Sequence, residues 1–287
     1  MKWDYRIKGE LVRFRTDDGA LLHGFLVSEG HDKIFIHFHG MGSNFYDDFR
    51  LPYLTEAIIK SGYTLLVVNN RGHDTVAEIP DTKYKWSRAG TAFEKFETSL
   101  NDVKGAVDFA GENGFSKIIL SGHSTGCQKI TYYQSKVQDK RLKGIVLLAP
   151  ADDYNVARKE FGEKFEAILK EAKKLDKNDL MPSKMLNGSF FGAARLLSVA
   201  EPENIEASIL NYDSEMKLFS KIRCPVLAIF GSKDKFLTKT SKEHLKILKE
   251  RTASQNFGSV IIKNADHSFT KKEKELVEEI RRWLVTL

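Results

Sequence analysis

Short runs rich in Val, Ile and Leu alternate along this chain with longer stretches in which apolar residues recur at helical spacing. Six runs carry the signal: residues 34–39, 64–69, 117–121, 144–149, 225–230 and 259–263. Each is apolar on both faces, which predicts strands covered by helices on either side. Ahead of them, residues 11–15 and 21–28 flank a turn signal at Asp17, Asp18 and Gly19, predicting an antiparallel hairpin. Helices fit between the runs. Residues 51–60 end at a stop signal, Ser61 and Gly62, and residues 96–110 place Leu100, Val103, Val107 and Ala110 on one face. Residues 271–284 do the same with Leu276, Val277, Ile280 and Leu284. The chain therefore reads as α/β, with a mostly parallel sheet of about eight strands flanked by helices.

The alternation fails once. From Ala151 to about Asp213 no strand-like run occurs, so residues 1–150 and 214–287 are expected to form one core domain, with a helical cap, 151–213, inserted after the sixth strand. Residues 156–174 are amphipathic, and Met181, Phe190, Phe191, Leu196 and Leu197 follow. Phe190 and Phe191 have two readings: part of the insertion's own small core, or an apolar underside that contacts substrate.

Composition narrows the class. Hydrophobic residues make up 41% of the 287 and charged residues 29%, enough for a large core and unlike a disordered chain. The longest apolar stretches, such as Ile145 to Ala149, span five residues, against the ~20 a spanning helix needs. The first ten residues contain no apolar signal core, which predicts a cytoplasmic protein. Cys127 and Cys224 are too few for a disulfide framework and lie in no metal-ligand spacing, so both are expected as reduced thiols. A net charge of +6, with acidic residues interleaved among the lysines, argues for a solvated surface and against nucleic-acid or membrane partners.

The chemistry gathers after the run at 117–121, where Gly122, His123, Ser124, Thr125 and Gly126 form Gly-x-Ser-x-Gly between a strand and a helix. A nucleophile needs a side chain lifted on a sharp turn, and the glycines remove the side chains that would clash there. Ser124 is the nucleophile candidate, and the Thr125 N–H, at the positive end of the following helix, is one oxyanion donor. A serine hydroxyl also needs a base and an acid to orient it. Asp234 follows the run at 225–230, and His267 follows the run at 259–263. Asp152 and Asp153, after the run ending at Ala149, are alternative acids, while Asp266 is disfavoured by adjacency to His267. His23, His31, His37, His39, His73 and His244 follow no final strand, and His123 is expected to point away from Ser124 as a packing or hydrogen-bonding residue. The loop from His37 to Ser43 should supply the second oxyanion donor, Met41 N–H, with Gly42 N–H as the alternative. His37 and His39 have the spacing of metal ligands on one strand face, but no acidic residue or further histidine cluster completes a site. The turn from Asn69 to Asp74 is either a pocket rim or a plain turn with an Arg–Asp pair.

The His39–Gly40 loop, the Gly122-to-Gly126 elbow, Asp234 and His267 resemble the α/β-hydrolase fold superfamily over nearly the whole chain, from about Leu11 to Leu287. The Gly-His-Ser-Thr-Gly-Cys form of the elbow, with Gly90 to Phe93 ahead of the next helix, is similar to a branch of uncharacterised-domain hydrolases that includes fungal esterases of fusarinine-type siderophores. The resemblance implies a cap, and a serine at the elbow, where dehalogenases and epoxide hydrolases of the superfamily carry Asp, implies acyl transfer to water. The expected activity is hydrolysis of a small carboxylic ester with an apolar acyl or alcohol part, without a cofactor. The same triad would also serve thioester, amide or acyl-transfer chemistry, and a non-catalytic binding protein could keep the fold.

Overall fold

The computed structural model describes residues 5–30 and 32–287. His31 and the first four residues, part of the segment read above for a signal sequence, lie outside the described residues. Strands β1 (Glu10–Arg15) and β2 (Leu21–Val27) form the expected hairpin, followed by β3 (Lys33–Phe38), α1 (Leu51–Lys60) and β4 (Thr64–Val68). Next come a two-stranded ribbon, β5 (Ala77–Pro80) and β6 (Trp86–Ala89), then α2 (Ser99–Glu112), β7 (Lys117–His123), α3 (Thr125–Val137) and β8 (Leu142–Leu148). Helices α4 (Asp153–Phe161), α5 (Phe165–Ala172), α6 (Ala193–Ala200) and α7 (Ile205–Ile209) precede β9 (Val226–Gly231), α8 (Ser241–Arg251), β10 (Phe257–Ile262) and α9 (Glu273–Leu284).

Eight strands form one sheet in the order β1-β2-β4-β3-β7-β8-β9-β10, parallel from β4 onward and antiparallel at the leading hairpin. The strands are apolar throughout because side chains alternate between two buried faces. Ile34, Ile36 and Phe38 of β3 pack toward α2 and α3, whereas Phe35 packs toward α1 and α9. The order reverses at β3, between β4 and β7, which opens a crevice at the C-terminal ends of the strands.

Three local expectations change. The last strand pairs only with β9, so it is an edge, and Ile261 stands 42% exposed instead of covered on both faces. The amphipathic stretch 156–174 is two helices, because Gly162 takes a φ of 53° between α4 and α5. The β5–β6 ribbon was not foreseen, since each strand is four residues long and one contains Pro80.

Residues 149–225 add no strand to the sheet. Phe165, Leu169, Met185, Phe191, Leu196 and Val199 form a third apolar cluster with Met41 against it, while Ile209, Leu210 and Tyr212 join the main core. Buried charges fasten this segment to the sheet. Arg195 of α6 pairs with Glu206 of α7 and lies 3.8 Å from Glu94, which accepts from Lys129 of α3 at 2.5 Å. No helix among the described residues is long and apolar enough to cross a membrane.

Candidate active site

Ser124 sits between β7 and α3 with φ 53° and ψ −124°, a strained conformation that persists only where its surroundings enforce it. They do so by close backbone approach. A Cβ on Gly122 would stand 2.3 Å from Gly126 C, and one on Gly126 would stand 2.4 Å from Phe38 O, so no larger residue fits at either position. Hydrogen bonds from Ser124 N to Leu148 O (2.9 Å) and from Cys127 N to Ser124 O (2.8 Å) pin the turn.

A cavity of about 610 Å³ opens beside Ser124. Its walls come from the residues just after β3 (Met41), β7 (Ser124), β8 (Asp153), β9 (Phe236) and β10 (His267), with Val156 and Leu186 contributed from the 151–213 segment. His267 Nδ1 donates to Asp234 Oδ2 at 2.8 Å, and Asp234 Oδ1 accepts from Phe236 N at 2.8 Å. The Asp234 side chain is only 2% exposed, so this pairing takes place out of water, and it leaves Nε2 of His267 free. The ring of His267 lies 4.5 Å from that of Phe236 and 5.0 Å from that of His123. Ser124 and His267 face the same cavity without a direct hydrogen bond between them.

The competing acids are occupied. Asp152 caps α4 by accepting from Asn155 N (3.0 Å) and also accepts from Tyr212 N (3.0 Å). Asp266 accepts from Ser268 N and Thr270 N and shapes its own turn. Asp153 pairs with Gln128, not with a histidine. Burial, together with the negative charges of Glu206 and Asp152, pushes the Asp153 carboxyl up to about 7, against the pull of Arg195 and Gln128.

Met41 and Thr125 both border the cavity, and neither backbone N–H donates to another described residue. The loop carrying Met41 runs hard against the elbow, for a Cβ on Gly40 would stand 2.9 Å from Ser124 Cβ. His37 Nδ1 pairs with Ser121 Oγ, and both ring nitrogens of His39 are used, on Gly40 O and on Asn70 N–H. Burial holds both imidazoles neutral, at about 4 for His37 and about 3 for His39. Among the described residues no group of three or more His, Cys, Asp or Glu is placed to hold a metal ion. His73 pairs with Asp74, and His244 stacks on Tyr212.

Two placements depart from expectation. Phe190 and Phe191 do not line the cavity: Phe191 is fully buried in the segment's own cluster, and Phe190 is 42% exposed beneath Lys184. The segment's own core takes Phe191, and the residue before it turns out to solvent. The apolar wall from this segment is Leu186 and Val156. His123 is a hydrogen-bonding residue as expected, but its ring borders the cavity and Nε2 donates to His267 O at 2.9 Å. Burial keeps its imidazole neutral. Arg71, in the turn after β4, pairs with Asp102 and Asp18, which makes that turn a structural one and not a rim. Asp153, an alternative acid by its place after a strand, lines the cavity without meeting His267, whereas the buried fork between Arg50 and Asp48 has no periodic signal in the chain to mark it.

A family model described as "Protein of unknown function (DUF1749)" matches residues 92–285. Among solved structures the chain is similar to the siderophore hydrolase EstB from Aspergillus fumigatus (TM-score 0.73, 18% identity, 99% of each chain covered). It is also similar to Est1E from Butyrivibrio proteoclasticus with ferulic acid bound (0.69, 18%, 95% of this chain and 98% of that one). The Pyrococcus furiosus esterase Pf2001 follows (0.65, 20%, 97% and 91%). No curated protein matches the chain. The shared fold is the α/β-hydrolase fold.

Proposed function

The chain belongs to the DUF1749 family on an α/β-hydrolase fold, and from that premise we propose that it hydrolyses small carboxylic esters through Ser124, His267 and Asp234. The observation that carries this reading is the buried 2.8 Å bond between His267 Nδ1 and Asp234, with His267 and the strained Ser124 on one cavity.

His267 Nε2 takes the Ser124 proton as Oγ attacks the ester carbonyl, and Asp234 stabilises the imidazolium that forms. Met41 and Thr125 N–H groups receive the oxyanion, and preorganised donors of this kind are worth several kcal/mol. Collapse of the intermediate returns the proton to the departing alcohol. Water, activated by the same imidazole, then cleaves the acyl-enzyme. The protein's own side chains supply each step, so no cofactor enters.

Residues 151–213 act as a cap in this reading, with Leu186 and Val156 meeting the apolar part of the substrate. A neighbour named a siderophore hydrolase and another holding ferulic acid support a small-molecule substrate. The unpaired thiols of Cys127 and Cys224 suit the reducing cytoplasm.

Turnover of p-nitrophenyl acetate and labelling by a fluorophosphonate test the proposal. The wild type should do both. Ser124→Ala should do neither while unfolding at a similar temperature, and residual turnover above about 1% would remove Ser124 from the role.

A further inference from the structure

The cavity holds a buried carboxyl for which acyl transfer has no use. Asp153 opens α4, lines the cavity and is 8% exposed. Its Oδ2 accepts from Gln128 Nε2 at 2.7 Å, and the same amide donates to Ala151 O at 3.3 Å, which fixes the carboxylate plane. Oδ1 has no hydrogen-bond partner among the described residues, and the residue stands on the cavity wall.

The neighbouring charged groups are already engaged. Arg195 is paired with Glu206, Lys129 with Glu94 and Asn70, and Arg50 lies in a two-bond fork with Asp48. Lys233 and Lys235 also line the cavity, both exposed to solvent, and Lys235 donates to Asn187. Glu206 and Asp152 act on Asp153 with charge of its own sign, against the opposite charge of Arg195. A carboxylate taken out of water beside two other acids is stabilised by a cation that reaches its free oxygen.

We propose that Asp153 is a specificity-determining residue whose Oδ1 receives a primary ammonium carried by the ester substrate while the ester carbonyl lies at Ser124. The preferred substrates are thus amine-bearing esters. This proposal rests on the serine-hydrolase reading, and its test separates the two. Two matched pairs are compared at about pH 8, where the carboxyl is ionised. One pair differs in the acyl part, phenyl 6-aminohexanoate against phenyl hexanoate. The other differs in the alcohol, 6-aminohexyl butyrate against hexyl butyrate.

The wild type should favour the ammonium member of at least one pair by about tenfold or more in kcat/KM. Asp153→Asn, which keeps the shape and the contact with Gln128, should erase that preference and leave the neutral esters within about threefold. No preference in either pair, a preference that survives the substitution, or an equal fall on both members would overturn the subsite. Failure of the wild type on all four esters, without fluorophosphonate labelling, would instead overturn the hydrolase reading.

Discussion

His123 Nε2 donates to the main-chain oxygen of His267 at 2.9 Å, so the residue before the candidate nucleophile holds the loop of the candidate base. Gln at position 123 can present an N–H at nearly the same place, whereas Phe fills the space and leaves the His267 carbonyl unpaired. His123→Phe should lower kcat by about tenfold to a hundredfold with KM little changed, and His123→Gln should restore most of it. Steady-state kinetics on a short neutral ester decide the matter. Equal kcat in the two variants would reduce His123 to a packing residue.

The pairing of Asp234 with His267 makes a ranking among the acids. Asn at 234 still hydrogen-bonds the imidazole but cannot stabilise its cation, so Asp234→Asn should lower kcat by about 10⁴ with KM nearly constant. On the neutral ester Asp153→Asn should stay within about threefold and Asp152→Asn within about tenfold, a barrier change of ~1.4 kcal/mol at most. Asp152→Asn should lower stability, because it disturbs the bond to Tyr212 N. A reversed order of kcat would return the acid to the end of β8.

Phe191 and Phe190 should separate cleanly. Phe191→Ala empties a fully buried site and should cost about 3–5 kcal/mol, read as a fall in Tm. Phe190→Ala, on an exposed side chain, should leave both Tm and chain-length preference unchanged. Leu186→Ala and Val156→Ala should alter relative rates on long and short acyl chains, with roughly 1–3 kcal/mol of discrimination at stake. A Phe190→Ala variant with changed chain-length preference would put that ring back against the substrate.

Asp153 gives a pH signature to stability. Its folded pKa, about 7, lies above the ordinary carboxylate value, so the native state binds more protons than the unfolded chain between about pH 4 and 7. Stability from this group therefore falls as pH rises through that window and is level above it. Asp153→Asn removes the penalty of an ionised, buried carboxylate, so its stability advantage over the wild type, read by denaturant unfolding, should be larger at about pH 8 than at about pH 5 by on the order of 1–3 kcal/mol. A constant difference across the range would show that Glu206 or Asp152 takes up the proton instead.

The sequence by itself determined the strands of the main sheet, the elbow and the chain order of the candidates Ser124, Asp234 and His267. Runs apolar at every position demand two covered faces, and a glycine on either side of Ser124 is required wherever backbone passes within 2.4 Å of a would-be Cβ. These are local constraints, each written within a few consecutive residues. Only the tertiary structure decided that Asp234 and not Asp152 meets His267, that Leu186 and not Phe191 faces the cavity, and that His123 reaches a carbonyl 144 residues away. It also decided that Asp153 stays protonated to about 7. Such outcomes depend on which side chains from distant segments share a space closed to water, and neither periodicity nor spacing along the chain records that encounter.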